Sequence, residues 1–297
     1  MRSEALENIV TMLRAQAAER GDAEMPVPEW REAYDGLGGL LPAAEGVAVE
    51  LVDADGVPAE WIGTGEGPVV VYVHGGGYCI GSLDSHRSML THLASAVAGR
   101  VLAVDYRLAP EHPFPAALDD ACAAYRWVVA GGADPARVVI AGDSAGGGLT
   151  LATLVALRDA GDSLPAAGVC LSPWADLTQS GATMSEKADA DPMVHAEDLA
   201  RWAAAYAGSD HDPGSSGLSP LFADLSGLPP LLVEVGTAEV LLDDARRLAE
   251  RARAAGVDVT LFEGENLIHV WHFFAGAVPE ADEGIARVAR FIAGQVR

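Results

Sequence analysis

The stretch Gly142-Asp143-Ser144-Ala145-Gly146 sets a serine between two glycines at a change of hydrophobic pattern. Residues 137–141 before it, Arg137 followed by four apolar residues, read as a short buried strand, and residues 147–158 after it carry a helical pattern. A serine at such a strand-to-helix corner adopts a strained backbone, which the flanking glycines leave room for. The strain lifts the hydroxyl above the sheet, within reach of a substrate. The matching chemistry is nucleophilic attack on a carbonyl. The five-residue pattern alone recurs by chance; its setting between strand and helix gives it weight.

A second stretch, His74-Gly75-Gly76-Gly77, directly follows the apolar run 69–73. Successive glycines let a backbone turn its N–H groups into a cavity without side-chain obstruction. Donors of this kind hold the negative charge of a tetrahedral intermediate, an effect worth about 3–4 kcal/mol per donor. A phosphate loop would continue into Gly-Lys-Ser/Thr, and this stretch does not.

The elements that must position these groups can be read from the surrounding pattern. Residues 2–20 repeat Leu6, Ile9, Val10 and Leu13 at helical spacing, and a Pro- and Gly-rich stretch with a short helix near residues 29–34 follows. Strands at 47–52 and 57–62 flank the turn Asp53-Ala54-Asp55-Gly56. Strand 69–73 is β-branched and aromatic throughout, as expected of a strand buried on both faces. From there strands at 100–104, 137–141, 167–171, 231–235 and 257–262 alternate with helices at 85–98, 116–129, 147–158, after 235 to about 255, and 279–293. Such alternation predicts an α/β fold: a mainly parallel sheet with an antiparallel start and helices on both faces. Between 172 and 219 no strand is evident. One helix, 197–206, is expected in that segment, which has the length of a lid or binding loop.

The chain has 297 residues, 50% of them hydrophobic, and a formal net charge of −24. A surface this acidic argues against a nucleic-acid partner and against docking on anionic lipid. Cys79, Cys122 and Cys170 are isolated and odd in number, so neither a zinc site nor a disulfide framework is expected. No run of about eighteen apolar residues is free of charge, and the first twenty residues lack the apolar stretch of a signal peptide. A cytoplasmic protein without a membrane span follows as the expectation.

Three motifs together resemble one family: His74-Gly75-Gly76-Gly77-Tyr78, Asp105-Tyr106-Arg107-Leu108-Ala109-Pro110-Glu111 and Gly142-Asp143-Ser144-Ala145-Gly146. From about residue 69 to its end, the chain is similar to the bacterial hormone-sensitive-lipase-like α/β-hydrolases. The resemblance implies the α/β-hydrolase fold as a single domain over 1–297, with a helical cap formed by about 1–42 and about 176–213. It implies Ser144 as nucleophile, and oxyanion donors at Gly76, Gly77 and Ala145. His74 would brace its loop rather than transfer protons. Chain order in such hydrolases is nucleophile, acid, base. That order points to His269 in Asn266-Leu267-Ile268-His269-Val270-Trp271, just past the last strand, with His272 structural. The acid should follow strand 231–235, where Glu239, Asp243 and Asp244 stand. Glu239 is nearest the strand end, at a position where the family usually carries Asp; Asp243 is the alternative, and Glu234 would point along the strand.

The expected activity is hydrolysis of carboxylic esters of short to medium acyl chains through an acyl-enzyme, without metal or cofactor. A small-molecule ester or a lactone is the expected partner. Lactone hydrolysis or acyl transfer would use the same triad, and a non-catalytic receptor would be expected to lose part of it. Dimers occur in the family, so the resemblance admits a homodimer. Trp30, Tyr34, Tyr78, Trp174, Met193 and Trp202 are candidates for pocket lining or for core. His86, His92, His112, His195 and His211 are read as surface or loop residues, Asp143 as a hydrogen-bonding neighbour of the nucleophile, and Ser172-Pro173-Trp174 as a structural strand end.

Overall fold

Strand β3 (Val69–Val73) lies at the centre of the molecule, and its side chains divide the core in two. Val69, Val71 and Val73 join one apolar cluster; Val70 and Tyr72 join the other. This period-two division of a fully apolar run is what a strand covered on both faces requires. The structure is a computed structural model and describes residues 2–20 and 25–296.

Around β3, the described residues form one eight-stranded sheet in the order β1-β2-β4-β3-β5-β6-β7-β8. The other strands are β1 (Val49–Asp53), β2 (Pro58–Ile62), β4 (Arg100–Val104), β5 (Val138–Asp143), β6 (Ala167–Leu171), β7 (Leu231–Gly236) and β8 (Val259–Gly264). β1–β2 and β2–β4 pair antiparallel and every later pair is parallel, as the opening hairpin and the later alternation predict. Helices α3 (Leu83–Ala96) and α9 (Pro279–Gln295) cover the Val70 face, and α1 (Glu4–Arg20) adds Leu6, Val10 and Leu13 to the same apolar cluster. Helices α4 (Ala116–Ala130), α5 (Ala145–Ala160) and α8 (Leu242–Ala254) cover the Val71 face.

The remaining helices are α2 (Val27–Gly39), α6 (Thr183–Glu186) and α7 (Ala196–Ala207). α2 is longer than the pattern predicts. It runs on through Gly36, Gly38 and Gly39 because it packs along α3, and tertiary packing outweighs the weak helix preference of glycine. The short α6 leaves too little periodicity to be seen in sequence. β8 starts two residues later than predicted, since Val257 N donates to Ala252 O and closes the end of α8 instead. Among the described residues no strand lies between Ser172 and Ser219, as expected.

After β3 the chain winds to β4 on one side and then to β5 on the other. Such a reversal opens a crevice at the carboxyl ends of the strands. The register brings those ends level: Val73 pairs with Gly142, Asp143 with Leu171, Leu171 with Glu234 and Gly236 with Gly264. The loops after β3, β5, β6, β7 and β8 therefore leave the sheet side by side.

Candidate active site

Ser144 links β5 directly to α5, with φ 53° and ψ −121°. This is the strained corner expected of it, and it is pinned from both sides. Ser144 N donates to Leu171 O at 2.8 Å, and Trp174 N donates to Ser144 O at 2.8 Å. Gly146 packs so close to the carbonyls of Val73 and His74 that a Cβ would run into them. The helix can thus start at Ala145, two residues earlier than the pattern suggests. Ser144 is nearly buried but keeps 9% exposure.

The His74–Gly77 loop leaves β3 beside this corner. Cys79 N and Ile80 N donate to Gly76 O at 3.0 and 2.9 Å, which curls the loop. Among the described residues, no group accepts a hydrogen bond from the Gly76 or Gly77 N–H. Ala145 N belongs to the first turn of α5, where N–H groups have no partner within the helix. Gly77 has φ +60°, and its Cβ position is filled by the indole of Trp202, so glycine is required twice over. Trp30 of α2 meets Trp202 of α7 edge-on at 5.9 Å between ring centroids.

Asp143 joins the two loops. Its Oδ1 accepts from Gly75 N at 3.1 Å and from Tyr72 OH at 2.8 Å, and Oδ2 lies 3.4 Å from His86 Nε2. Burial alone would raise its pKa, but the neighbouring His86, with Tyr72, outweighs burial and holds it below the usual value as a carboxylate. His86 therefore corrects the sequence reading: it is 1% exposed and lies within α3, beneath the donor loop. Its spacing with Met89, Leu90 and Leu93 puts it on the apolar face of that helix, a signal present in the sequence. His74 braces its loop as expected: Nδ1 donates to Gly75 O at 2.7 Å and the ring stacks on Tyr106. Burial, followed by the neighbouring His86, drives its pKa down to about 3, so the ring is neutral.

His269 and Glu239 come together from the loops after β8 and β7. His269 Nδ1 donates to Glu239 Oε2 at 2.7 Å, with the two residues 4% and 0% exposed. The other oxygen, Oε1, accepts from Ser172 Oγ at 2.8 Å and Gly236 N at 2.5 Å. Burial pushes the His269 pKa down, but the hydrogen bond and charge of Glu239, with Asp191 and Asp143 adding to them, hold it above its ordinary 6.5. Asp243 does not join: its Oδ2 accepts from Thr183 N at 3.1 Å. Asp244 is buried against Ala175 N and Asp176 N. Glu234 is occupied by a second buried pair, with His272 Nε2 at 2.9 Å and Arg287 Nε at 2.8 Å.

Asp191 is the site neighbour that sequence reasoning missed. It is 3% exposed, with Oδ1 accepting from Met193 N and Val194 N and Oδ2 from Val240 N at 3.0 Å. It thereby ties the 172–219 segment to the residue after Glu239. An acidic residue before a proline in a polar stretch carries no sequence signal of burial. Of the candidate lining residues, Tyr78 and Trp174 are core, with Tyr78 stacked on Tyr206 at 3.8 Å, whereas Trp30, Tyr34, Met193 and Trp202 are half-buried. A cleft of about 780 Å³ at the opposite end of the sheet, lined by Trp61, Arg100, Trp127 and Arg137 among others, holds none of these groups.

The geometry combines an elbow serine, a turn of free N–H donors and a buried His–Glu pair at the carboxyl ends of a mainly parallel sheet. A family model described as the alpha/beta hydrolase fold matches residues 70–273. An acetyl-hydrolase of Streptomyces hygroscopicus is 44% identical over 265 residues, which cover 88% of this chain and 86% of the relative. The crystal structure of an esterase from the bacterial hormone-sensitive lipase family superposes with a TM-score of 0.95 at 47% identity, covering 100% of both chains. EstE5, in crystals soaked with p-nitrophenyl butyrate, superposes with a TM-score of 0.93 at 41% identity over 99% of each chain. The chain belongs to the α/β-hydrolase family and, within it, to the bacterial hormone-sensitive-lipase-like esterases. No helix among the described residues is long and apolar enough to cross a membrane.

Proposed function

We propose that Ser144, His269 and Glu239 hydrolyse carboxylic esters of short acyl chains through an acyl-enzyme. His269 Nε2 takes the Ser144 proton as Oγ attacks the ester carbonyl, and the N–H groups of Gly76, Gly77 and Ala145 hold the oxyanion. The C–O bond of the ester breaks as His269 returns the proton to the departing alcohol. Water, deprotonated by His269, then attacks the acyl carbonyl; the acid leaves and Ser144 recovers its proton. Glu239 fixes the tautomer with hydrogen on Nδ1 and stabilises the imidazolium that forms in each half.

The observation that carries this reading is the bond from His269 Nδ1 to Glu239 Oε2. It orients the remaining ring nitrogen as a base at the end of the sheet where Ser144 stands. Short acyl chains are supported by the indole of Trp202 seated against Gly77 of the donor loop, and by the naming of one relative as an acetyl-hydrolase. A cap built from α1, α2 and the 176–213 segment is supported by the Trp30–Trp202 contact over that loop. A reducing, cytoplasmic setting is supported by Cys79, Cys122 and Cys170, all buried and free. The test is a series of p-nitrophenyl esters: kcat/KM should be highest for acetate or butyrate and fall steeply by decanoate. A maximum at decanoate would overturn the short-chain reading.

A further inference from the structure

Three loops meet at one buried hydroxyl. Ser172 is 0% exposed and is the first residue beyond β6. Its Oγ donates to Glu239 Oε1 at 2.8 Å and accepts from Val270 N at 3.0 Å. Its own N–H donates to Glu234 O at 2.6 Å, next to the point where Leu171 O receives Ser144 N. One side chain thus touches the carboxylate of the proposed acid and the residue after the proposed base, and its chain neighbour holds the nucleophile.

The backbone at this junction is unusual. Ser172 has φ +47° and Val270 has φ +44°. A β-branched residue at positive φ is a true outlier, and such conformations persist only where the surroundings enforce them. Here the Val270 N–H to Ser172 Oγ bond joins the two strained residues to each other. The hydroxyl has one hydrogen and gives it to Glu239, so its lone pairs are left for Val270. Glu239 Oε1 is thereby occupied by Ser172 and Gly236, and Oε2 is left for His269.

We infer that Ser172 is a positioning residue for the hydrolytic reaction: its hydroxyl locks the Glu239 carboxylate and the His269 loop in one relative orientation. The inference rests on the reading of Glu239 and His269 as acid and base. A simple structural strand end would need neither the hydroxyl nor the left-handed backbone. The longer reach of Glu compared with Asp gives its carboxylate one more rotatable bond, which Ser172 and Gly236 together fix.

Ser172→Gly and Ser172→Ala test this, with circular dichroism and thermal midpoint as controls. Glycine removes the backbone strain together with the hydroxyl; alanine removes only the hydroxyl. Both variants should lose roughly ten- to hundredfold in kcat with p-nitrophenyl acetate, the range typical of removing a group that orients a working side chain. KM should stay within about threefold, because the group acts on the base and not on substrate binding. The acid limb of the rate profile should move to lower pH as the Glu239–His269 bond loosens; the charged groups facing His269 are Glu239, Asp191 and Asp143. In a Glu239→Gln background the added loss should nearly vanish, since coupled residues are not additive. Retention of kcat in either variant overturns the proposal. So does an equal loss in the Glu239→Gln background, or failure of both variants to fold, which would make Ser172 a determinant of folding alone. If Glu239→Gln itself leaves kcat intact, the triad reading has failed instead.

Discussion

His269 Nδ1 and Glu239 Oε2 stand 2.7 Å apart although 30 residues separate them in the chain. Level strand ends make this meeting possible: Gly236 pairs with Gly264, so the loops after β7 and β8 start together. Glu239→Gln should lower kcat by up to about ten-thousandfold, because an amide no longer stabilises the imidazolium or enforces its tautomer. Asp243→Asn should change kcat by less than about threefold, since a solvated or structural carboxylate contributes little to the chemical step. Steady-state kinetics on the purified variants separate the two acids. A large loss in Asp243→Asn with none in Glu239→Gln would reverse the assignment.

The pH dependence follows from the same pair. His269 must be neutral to accept the Ser144 proton, and its pKa lies above 6.5. Activity should therefore fall as pH drops through a value above 6.5. The stability contribution runs the other way. A histidine whose folded pKa is raised stabilises the fold fully below its unfolded value, and that contribution is lost as pH rises through the folded pKa. Rate profiles and denaturation curves between about pH 5 and 9 should show activity rising where this contribution fades. An acid limb below 6.5 would contradict the account.

Gly77→Ala should cost roughly a hundredfold in kcat. The new Cβ meets the Trp202 ring and the backbone is held at φ +60°, so the donor loop must shift away from the developing oxyanion. Kinetics with p-nitrophenyl acetate test this, with circular dichroism confirming the fold. Near-normal kcat would show that this N–H is not a donor.

The two buried His–Glu pairs should behave differently. Glu234 bonds His272 and Arg287 inside the Val70 face of the protein. Glu234→Ala leaves both partners without their carboxylate and should destabilise the fold by about 3–5 kcal/mol. The folded fraction should keep kcat within a few-fold. Urea denaturation read beside kinetics on the same samples checks both halves of this expectation.

Much of this arrangement was legible from local pattern. The runs at 69–73 and 167–171 are apolar, 100–104 is apolar after Arg100, all three are bounded by turn residues, and each matches its strand. Ser144 and the His74–Gly77 loop were legible because their chemistry is written in contiguous residues. What was hidden depends on distant partners. His86 reads as a polar residue until Asp143, 57 residues away, is seen facing it. Asp191 reads as a solvated acid until Val240 N is seen bonded to it. Ser172 reads as a strand end because nothing nearby in sequence shows that Glu239 and Val270 share its hydroxyl. The full length of α2 is hidden in sequence because its glycines are held helical by α3 and not by their own preference.

Ser144 carries the acyl group in the proposed reaction. The most direct test is the turnover of p-nitrophenyl acetate by purified Ser144→Ala, beside the intact mass of the native protein after treatment with a fluorophosphonate. The variant should fold and lose at least about ten-thousandfold in kcat. One phosphonyl adduct per native chain is expected, on the peptide holding Ser144. Turnover by Ser144→Ala within tenfold of the native rate, or an inactivating adduct on another residue, would contradict it.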